Sequence, residues 1–165
     1  MDMHFHIDID APASEAWRVL GEEFGAIGDW GVGIAASELI GDLGVGAGRT
    51  CEGEGWGPFP AGTVTEELYH FDREAMEFSY RATSGLPWFL TQGLNRWSIE
   101  ALGPERCIVR SHATIGMVWW MWPLAPLMLL MTRSALKQLK EEVKYTVEHG
   151  RPHPRKLVSL TAQAG

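Results

Sequence analysis

Few side chains in this sequence are placed to do chemistry, and Glu66 is the first of them. The segment Gly62–Phe71 reads as a strand with two possible inward faces: Val64, Glu66, Leu68 and His70, or Thr65, Glu67, Tyr69 and Phe71. We take the first set as inward, because it puts Glu66 between two aliphatics and sends Glu67 to water. A carboxylate between Val64 and Leu68 would lose solvation, which raises its pKa and suits it to general acid/base work. The competing and favoured reading is plainer: the same carboxylate pairs with an arginine or reaches the sheet edge, and catalysis is then not established. The same alternation turns Tyr80 inward with Met76, Phe78 and Ala82, turns Asn95 inward with Trp97 and Ile99, and turns Ser111 inward with Cys107, Val109, Ala113 and Ile115. Polar groups spaced along otherwise apolar faces are what a small-molecule pocket requires. They are equally what a core requires when Tyr80 and Asn95 only satisfy buried backbone.

Other chemistries lack their residues. His4, His6 and Asp8 alternate on one strand face, but no further ligand stands beside them, so a solvated face is expected and no metal site. Gly44–Gly48 has the glycines of a phosphate loop without the Lys-Ser/Thr, and it joins two strands, so it reads as a tight hairpin. No Gly-x-Ser-x-Gly elbow occurs. No cofactor is expected. The chain of 165 residues carries 14 Lys and Arg against 21 Asp and Glu, a net charge of -7 with no basic patch interleaved with aromatics, which argues against nucleic acid. Two cysteines, Cys51 and Cys107, are too few for a disulfide framework, and the start lacks the pattern of a signal peptide. A reduced, cytoplasmic protein is the expectation, and Cys107 reads as a small core hydrophobe. The oligomeric state is not set by the sequence.

The elements that must carry these residues follow from period and punctuation. Met3–Ile9 alternates cleanly, with Phe5, Ile7 and Ile9 on one face. Ala11-Pro12 opens a helix with Ala13, Ala16, Trp17 and Leu20 as its apolar stripe, and a second, broken helical segment runs through Phe24, Ile27, Trp30 and Ile34. Strands are expected at Ala36–Ile40, Gly48–Glu54, Gly62–Phe71, Ala75–Ala82, Leu94–Leu102 and Cys107–Ile115. They are separated by turn residues at Gly41…Gly46, Pro58…Pro60, Asp72-Arg73-Glu74 and Gly103-Pro104-Glu105. Connections this short make an antiparallel meander. A helix from about Leu127 to His149 follows Pro126 and stops at Gly150; Met128, Thr132, Ala135, Leu136, Leu139, Val143 and Val147 form one face. It would be roughly 35 Å long, enough to cross a small domain. Residues 1–150 therefore form one α+β domain, and residues 151–165 a loosely ordered tail. Seven strands and one long helix imply a sheet curled around that helix, with space between them.

The order of these elements, with "IDIDAPASEAWRVL" (Ile7–Leu20), "FGAIGDW" (Phe24–Trp30), "GVGAGRTC" (Gly44–Cys51) and "GTVTEELYHFD" (Gly62–Asp72), resembles the SRPBCC superfamily over about residues 3–149. These are the START-like, Bet v 1-like helix-grip proteins, and the likeness is to their polyketide cyclase/dehydrase branch. The resemblance implies a cavity between sheet and C-terminal helix holding a sterol, lipid, polyketide or other apolar molecule, and in some members cyclisation, dehydration or hydrolysis. Such a fold hosts many activities and names none.

On this basis the ligand-binding candidates are Trp30, Glu66, Tyr80, Asn95, Trp97, Ser111, Trp119 and Met128, with Glu66 the candidate catalytic group. A carrier for an apolar or aromatic small molecule is the favoured function, and a cyclase/dehydrase-type enzyme using Glu66, Tyr80 or Asn95 is the alternative. A third reading comes from Ser111–Thr132, which lacks any charged residue and contains "MVWWMWPLAPLMLLM" (Met117–Met131). Pro123 and Pro126 interrupt it and its start continues a strand, so it is not expected to span a bilayer. Trp119, Trp120 and Trp122 would lid the cavity mouth, or touch a membrane surface transiently to load an apolar ligand.

Overall fold

The computed structural model describes residues 1–55 and 61–163; the expected turn at Pro58…Pro60 lies outside them. Seven strands form one antiparallel sheet: β1 (Asp2–Ile9), β2 (Ile34–Ile40), β3 (Gly48–Gly53), β4 (Gly62–Asp72), β5 (Glu77–Ser84), β6 (Leu90–Gly103) and β7 (Arg106–Met117). Their spatial order is β1-β7-β6-β5-β4-β3-β2, so β2 to β7 are a meander and β1 closes the far edge beside β7. The sheet is curled but not closed. This is the expected α+β helix-grip arrangement.

Between β1 and β2 the chain makes α1 (Ala13–Trp17), which runs on through a π turn at Arg18–Glu22, then a 3₁₀ turn at Phe24–Ala26 and α2 (Ile27–Trp30). Pro12 stands just before α1 as its cap, with φ -58°. Gly25 and Gly28 let this segment lie directly on β2. A Cβ at Gly28 would come within 2.6 Å of the Ser37 backbone nitrogen. The Ser37 hydroxyl fastens the contact, accepting from Gly28 N at 2.7 Å and donating to Gly25 O at 2.6 Å.

The core fills one face of the sheet with Ile7, Ile9, Leu68, Phe78, Trp97, Ile99 and Val109, against Ala16, Trp17, Leu20 and Phe24. Phe78 and Trp97 stack with parallel rings 6.2 Å apart, and Trp17 meets Phe78 and Phe71. One assignment of side differs from the sequence reading. His70 is exposed and Phe71 turns toward the core, because the β4–β5 register shifts between Leu68 and His70. A bulge adds one residue to one strand, so every side chain beyond it changes face.

The helix α3 (Ala125–His149) is capped by Gly150 in the left-handed conformation, φ +63°. It packs by its C-terminal half only, through Glu142, Val143, Thr146 and Val147. Leu139 is half-buried against the core; in the N-terminal half Met128, Thr132 and Leu136 are half-buried, Ala135 is exposed, and Leu127 and Leu130 face outward. A 3₁₀ turn at Trp119–Leu124 leads into it, and among the described residues no helix is long and apolar enough to cross a membrane.

Within the segment expected to be a loose tail, Pro154–Gln163 forms a further helix, α4. Lys156 anchors it, completely buried, with Nζ donating to Ile34 O at 2.5 Å. Arg155 pairs with Glu141 at 2.6 Å and the Ser159 hydroxyl donates to Glu54 at 2.6 Å. Burial pushes the Lys156 pKa down and the Glu142 pKa up, each disfavouring its charged form. Two of these three contacts, from Lys156 and Ser159, reach partners more than a hundred residues away, which local composition does not announce.

Candidate functional site

A cavity of about 360 Å³ opens on the core side of the sheet, where β3 to β7 meet α2 and the β5–β6 loop. Ile27, Ile34, Val64, Ala82, Leu86 and Ile115 make its apolar wall; Arg49, Glu66, Tyr80 and Asn95 are its polar groups, with the Cys51 thiol beside them. The helix facing the sheet across it is α2, and among the described residues α3 contributes none to the lining. The space expected between sheet and C-terminal helix is therefore divided: this cavity is closed by α2, and a separate hollow lies between β1 and α3. Two larger hollows, of about 590 and 550 Å³, lie on the outer face around His4, His112 and Arg110, and between β1 and α3. The charged residues walling the first are tied to neighbours outside it, Arg110 to Glu100 and His112 to Asp2, and His4 stacks on His112. Among the described residues no cluster of three or more His, Cys, Asp or Glu is placed to hold a metal.

The polar end of the cavity is organised around Arg49, which the sequence reading did not select. Arg49 and Glu66 are register partners on β3 and β4, so both point inward, and Nε donates to Glu66 Oε2 at 2.6 Å. Arg49 Nη1 donates to Phe24 O at 2.8 Å, and the guanidinium lies over the rings of Phe24 and Tyr80, 4.1 and 4.8 Å from their centroids. Burial works against this charge, yet the Glu66 carboxylate beside it holds the Arg49 pKa above its ordinary value. The plainer reading of Glu66 therefore prevails: it is the counter-ion of a buried arginine, not a lone desolvated acid. The available signal was the alternation Arg49–Cys51–Gly53, which puts an arginine on the same face as a buried cysteine. What no alternation supplies is the pairing of that strand with β4.

Beside the ion pair runs a second polar line. Ser111 Oγ donates to Asn95 Oδ1 at 2.9 Å, and Asn95 Nδ2 donates to the Tyr80 hydroxyl at 3.1 Å. Burial, with the Glu66 charge second, pushes the Tyr80 phenol above its ordinary pKa against the opposing pull of Arg49. Burial also pushes the Cys51 thiol up, so it is a poor nucleophile.

Of the sequence-selected residues, Glu66, Tyr80 and Asn95 line the cavity and Ser111 lies behind them, tied to Asn95. Trp97 is buried in the core against Phe78 and Phe5. Trp30 is buried in α2, its indole nitrogen without a hydrogen-bond partner among the described residues. Met128 is half-buried on α3, its carbonyl accepting from the Thr132 hydroxyl. Trp119, Trp120 and Trp122 do not line the cavity: they are exposed, and Trp120 stacks on Trp88.

Solved structures of the same shape include norcoclaurine synthase from Thalictrum flavum in complex with dopamine and hydroxybenzaldehyde (20% identity, covering 90% of this chain and 87% of that one, TM-score 0.61). The protein TTHA0849 from Thermus thermophilus matches with 15% identity over 89% of this chain and 97% of that one, TM-score 0.72. A START superfamily protein from Mycobacterium smegmatis does so with 15% identity over 86% and 98%, TM-score 0.63. At these identities the likeness is one of fold. No curated protein matches the sequence. The model of one family, described as polyketide cyclase / dehydrase and lipid transport, matches residues 2–144. That span takes in the whole sheet, the cavity wall and most of α3, and the chain belongs to this polyketide cyclase / dehydrase and lipid transport family.

Proposed function

We propose that this protein binds a small apolar, ring-containing molecule in the cavity of about 360 Å³, with the molecule's polar end toward Arg49, Glu66, Tyr80 and Asn95. The observation that carries this reading is a mostly apolar wall with its polar groups gathered at one end, the usual composition of a ligand site. The volume lies near the lower end of the roughly 300–1,000 Å³ typical of such sites, which favours a one- or two-ring compound over a long-chain lipid. That the norcoclaurine synthase of this fold holds dopamine and hydroxybenzaldehyde is in keeping with an aromatic occupant. A cyclase/dehydrase-type reaction would use the same end of the cavity, with Tyr80 as proton donor, since Glu66 is engaged by Arg49. The test is native mass spectrometry of freshly purified protein, followed by organic extraction. An adduct that extracts as an aromatic or polyketide-like compound is expected; an apo mass unchanged by added aromatic ligands would sink the reading. We further place the protein in a reducing cytoplasm, in keeping with both cysteines being unpaired.

A second reading, transient contact with a membrane surface, is favoured by a specific patch. Trp88, Trp119, Trp120, Trp122, Leu127 and Leu130 are all half or more exposed. Exposed tryptophan suits the bilayer interface. Along the exposed face of α3 the apolar Leu127 and Leu130 give way to Arg133 and Lys137, within about 15 Å of helix, as anionic headgroups above an apolar layer would require. Vesicles of phosphatidylcholine with phosphatidylglycerol should therefore sediment the protein and blue-shift its Trp emission. Replacing Trp119, Trp120 and Trp122 together by Ser should weaken sedimentation more than tenfold, as each buried large side chain is worth about 1.5–3 kcal/mol. Protein that stays in the supernatant with unshifted emission would exclude this contact.

A further inference from the structure

The polar line beside the ion pair has a direction, and that direction specifies what the ligand must bring. Tyr80, Asn95 and Ser111 stand on three adjacent strands, with Tyr80 and Asn95 as register partners. Ser111 spends its hydroxyl hydrogen on Asn95 Oδ1, and the Asn95 amide spends an N–H on the Tyr80 oxygen. Tyr80 is therefore an acceptor toward the protein. A phenol has one hydrogen and accepts through its lone pairs, so the hydrogen of Tyr80 is left unspent. Among the described residues no group accepts it. Tyr80 lines the cavity, where an unmade hydrogen bond is costly unless an occupant completes it.

The neighbours do not offer an acceptor in its place. Glu66 is taken up by Arg49, and the guanidinium packs on the face of the Tyr80 ring without reaching across as a hydrogen-bond partner. The phenol keeps its proton across the neutral range, since burial and the Glu66 charge both oppose its ionisation.

We propose that the cavity selects apolar ring compounds carrying a carbonyl oxygen, which accepts the hydrogen of the Tyr80 hydroxyl. This rests on the reading of the cavity as a ligand site and adds its chemical class: aryl ketones and related carbonyl compounds, in preference to hydrocarbons of the same shape. Asn95 and Ser111 are positioning residues: Asn95 donates to the phenol oxygen, and Ser111 fixes the Asn95 amide that does so.

The test uses two probes of one shape, 2-acetylnaphthalene and 2-ethylnaphthalene, titrated into the intact protein and followed by quenching of Trp emission. The wild type should bind the ketone about tenfold more tightly than the hydrocarbon, the usual size of one buried hydrogen bond. Tyr80→Phe should remove that preference, weakening the ketone about tenfold and leaving the hydrocarbon unchanged. An infrared spectrum of the ketone bound to wild-type protein supplies a readout that needs no variant. Its carbonyl band should lie below its position in hexane, and it should return toward that position in Tyr80→Phe. Equal binding of the ketone by wild type and variant overturns the proposal while leaving the cavity reading intact, as does a lowered band that persists in the variant. Binding of neither probe by the wild type overturns both.

Discussion

Glu66→Ala is expected to lower the stability of the folded protein by about 3–5 kcal/mol, because it leaves the Arg49 charge buried without its counter-ion. The side chains of the pair are 6% and 17% exposed, so solvent screening, which makes surface pairs nearly worthless, is largely absent. Phe24 O and the rings of Phe24 and Tyr80 still hold the guanidinium, but none of them carries a negative charge. For a chain of this length the loss corresponds to a fall in Tm of about 10 °C. Urea melts read it directly as a lower midpoint at unchanged slope. The double variant Arg49→Met/Glu66→Leu should recover most of the loss, since two apolar side chains of similar size avoid the cost of dehydrating two charges. If Glu66→Ala costs less than about 1 kcal/mol, water reaches the pair freely and burial does not bind Arg49 to its counter-ion.

The second large effect is expected on binding with little on stability. Gly93 lies on β6 in the cavity wall, and a Cβ built there meets Ala82 Cβ at 3.5 Å and Leu86 Cδ2 at 3.6 Å, ordinary van der Waals distances. Its φ is not in the left-handed region, so a larger residue carries no backbone strain. Gly93→Leu should therefore fill the cavity with a side chain of the protein's own. The Tm should stay within a few degrees of wild type, while the occupant detected by native mass spectrometry disappears and affinity for aromatic probes falls more than a hundredfold. Retention of the occupant by a folded Gly93→Leu variant would place the binding site elsewhere. Gly85 makes the contrast: its φ is +80° and a Cβ there would lie 1.9 Å from Thr63 O, so that glycine is demanded by the turn itself.

Much of the fold was legible because it is written in short-range stereochemistry. The alternation of Met3–Ile9 put Ile7 and Ile9 in the core and His4, His6 and Asp8 in water, as found. Proline before α1 and in the first turn of α3, with Gly150 after it, marked both helices to within a few residues. In the site, Glu66, Tyr80 and Asn95 were chosen from alternation alone and all three line the cavity. Alternation failed at His70, where an extra residue in β4 resets the faces, and an unpaired residue leaves no trace in a period of two.

The sequence by itself determined the element order, the inward sets on most strands, the family and the expectation of an apolar pocket, since each depends on neighbours a few residues apart. Tertiary structure alone decided that Arg49 is the partner of Glu66, for that follows from the register of two strands. It decided that α2, and not α3, faces the cavity, because the volume between layers depends on where a helix touches the sheet along its length. It also decided that Lys156 docks α4 on Ile34, a contact spanning 122 residues. Register, standoff and docking are set by how all the elements fill space together, and that information is distributed over the whole chain.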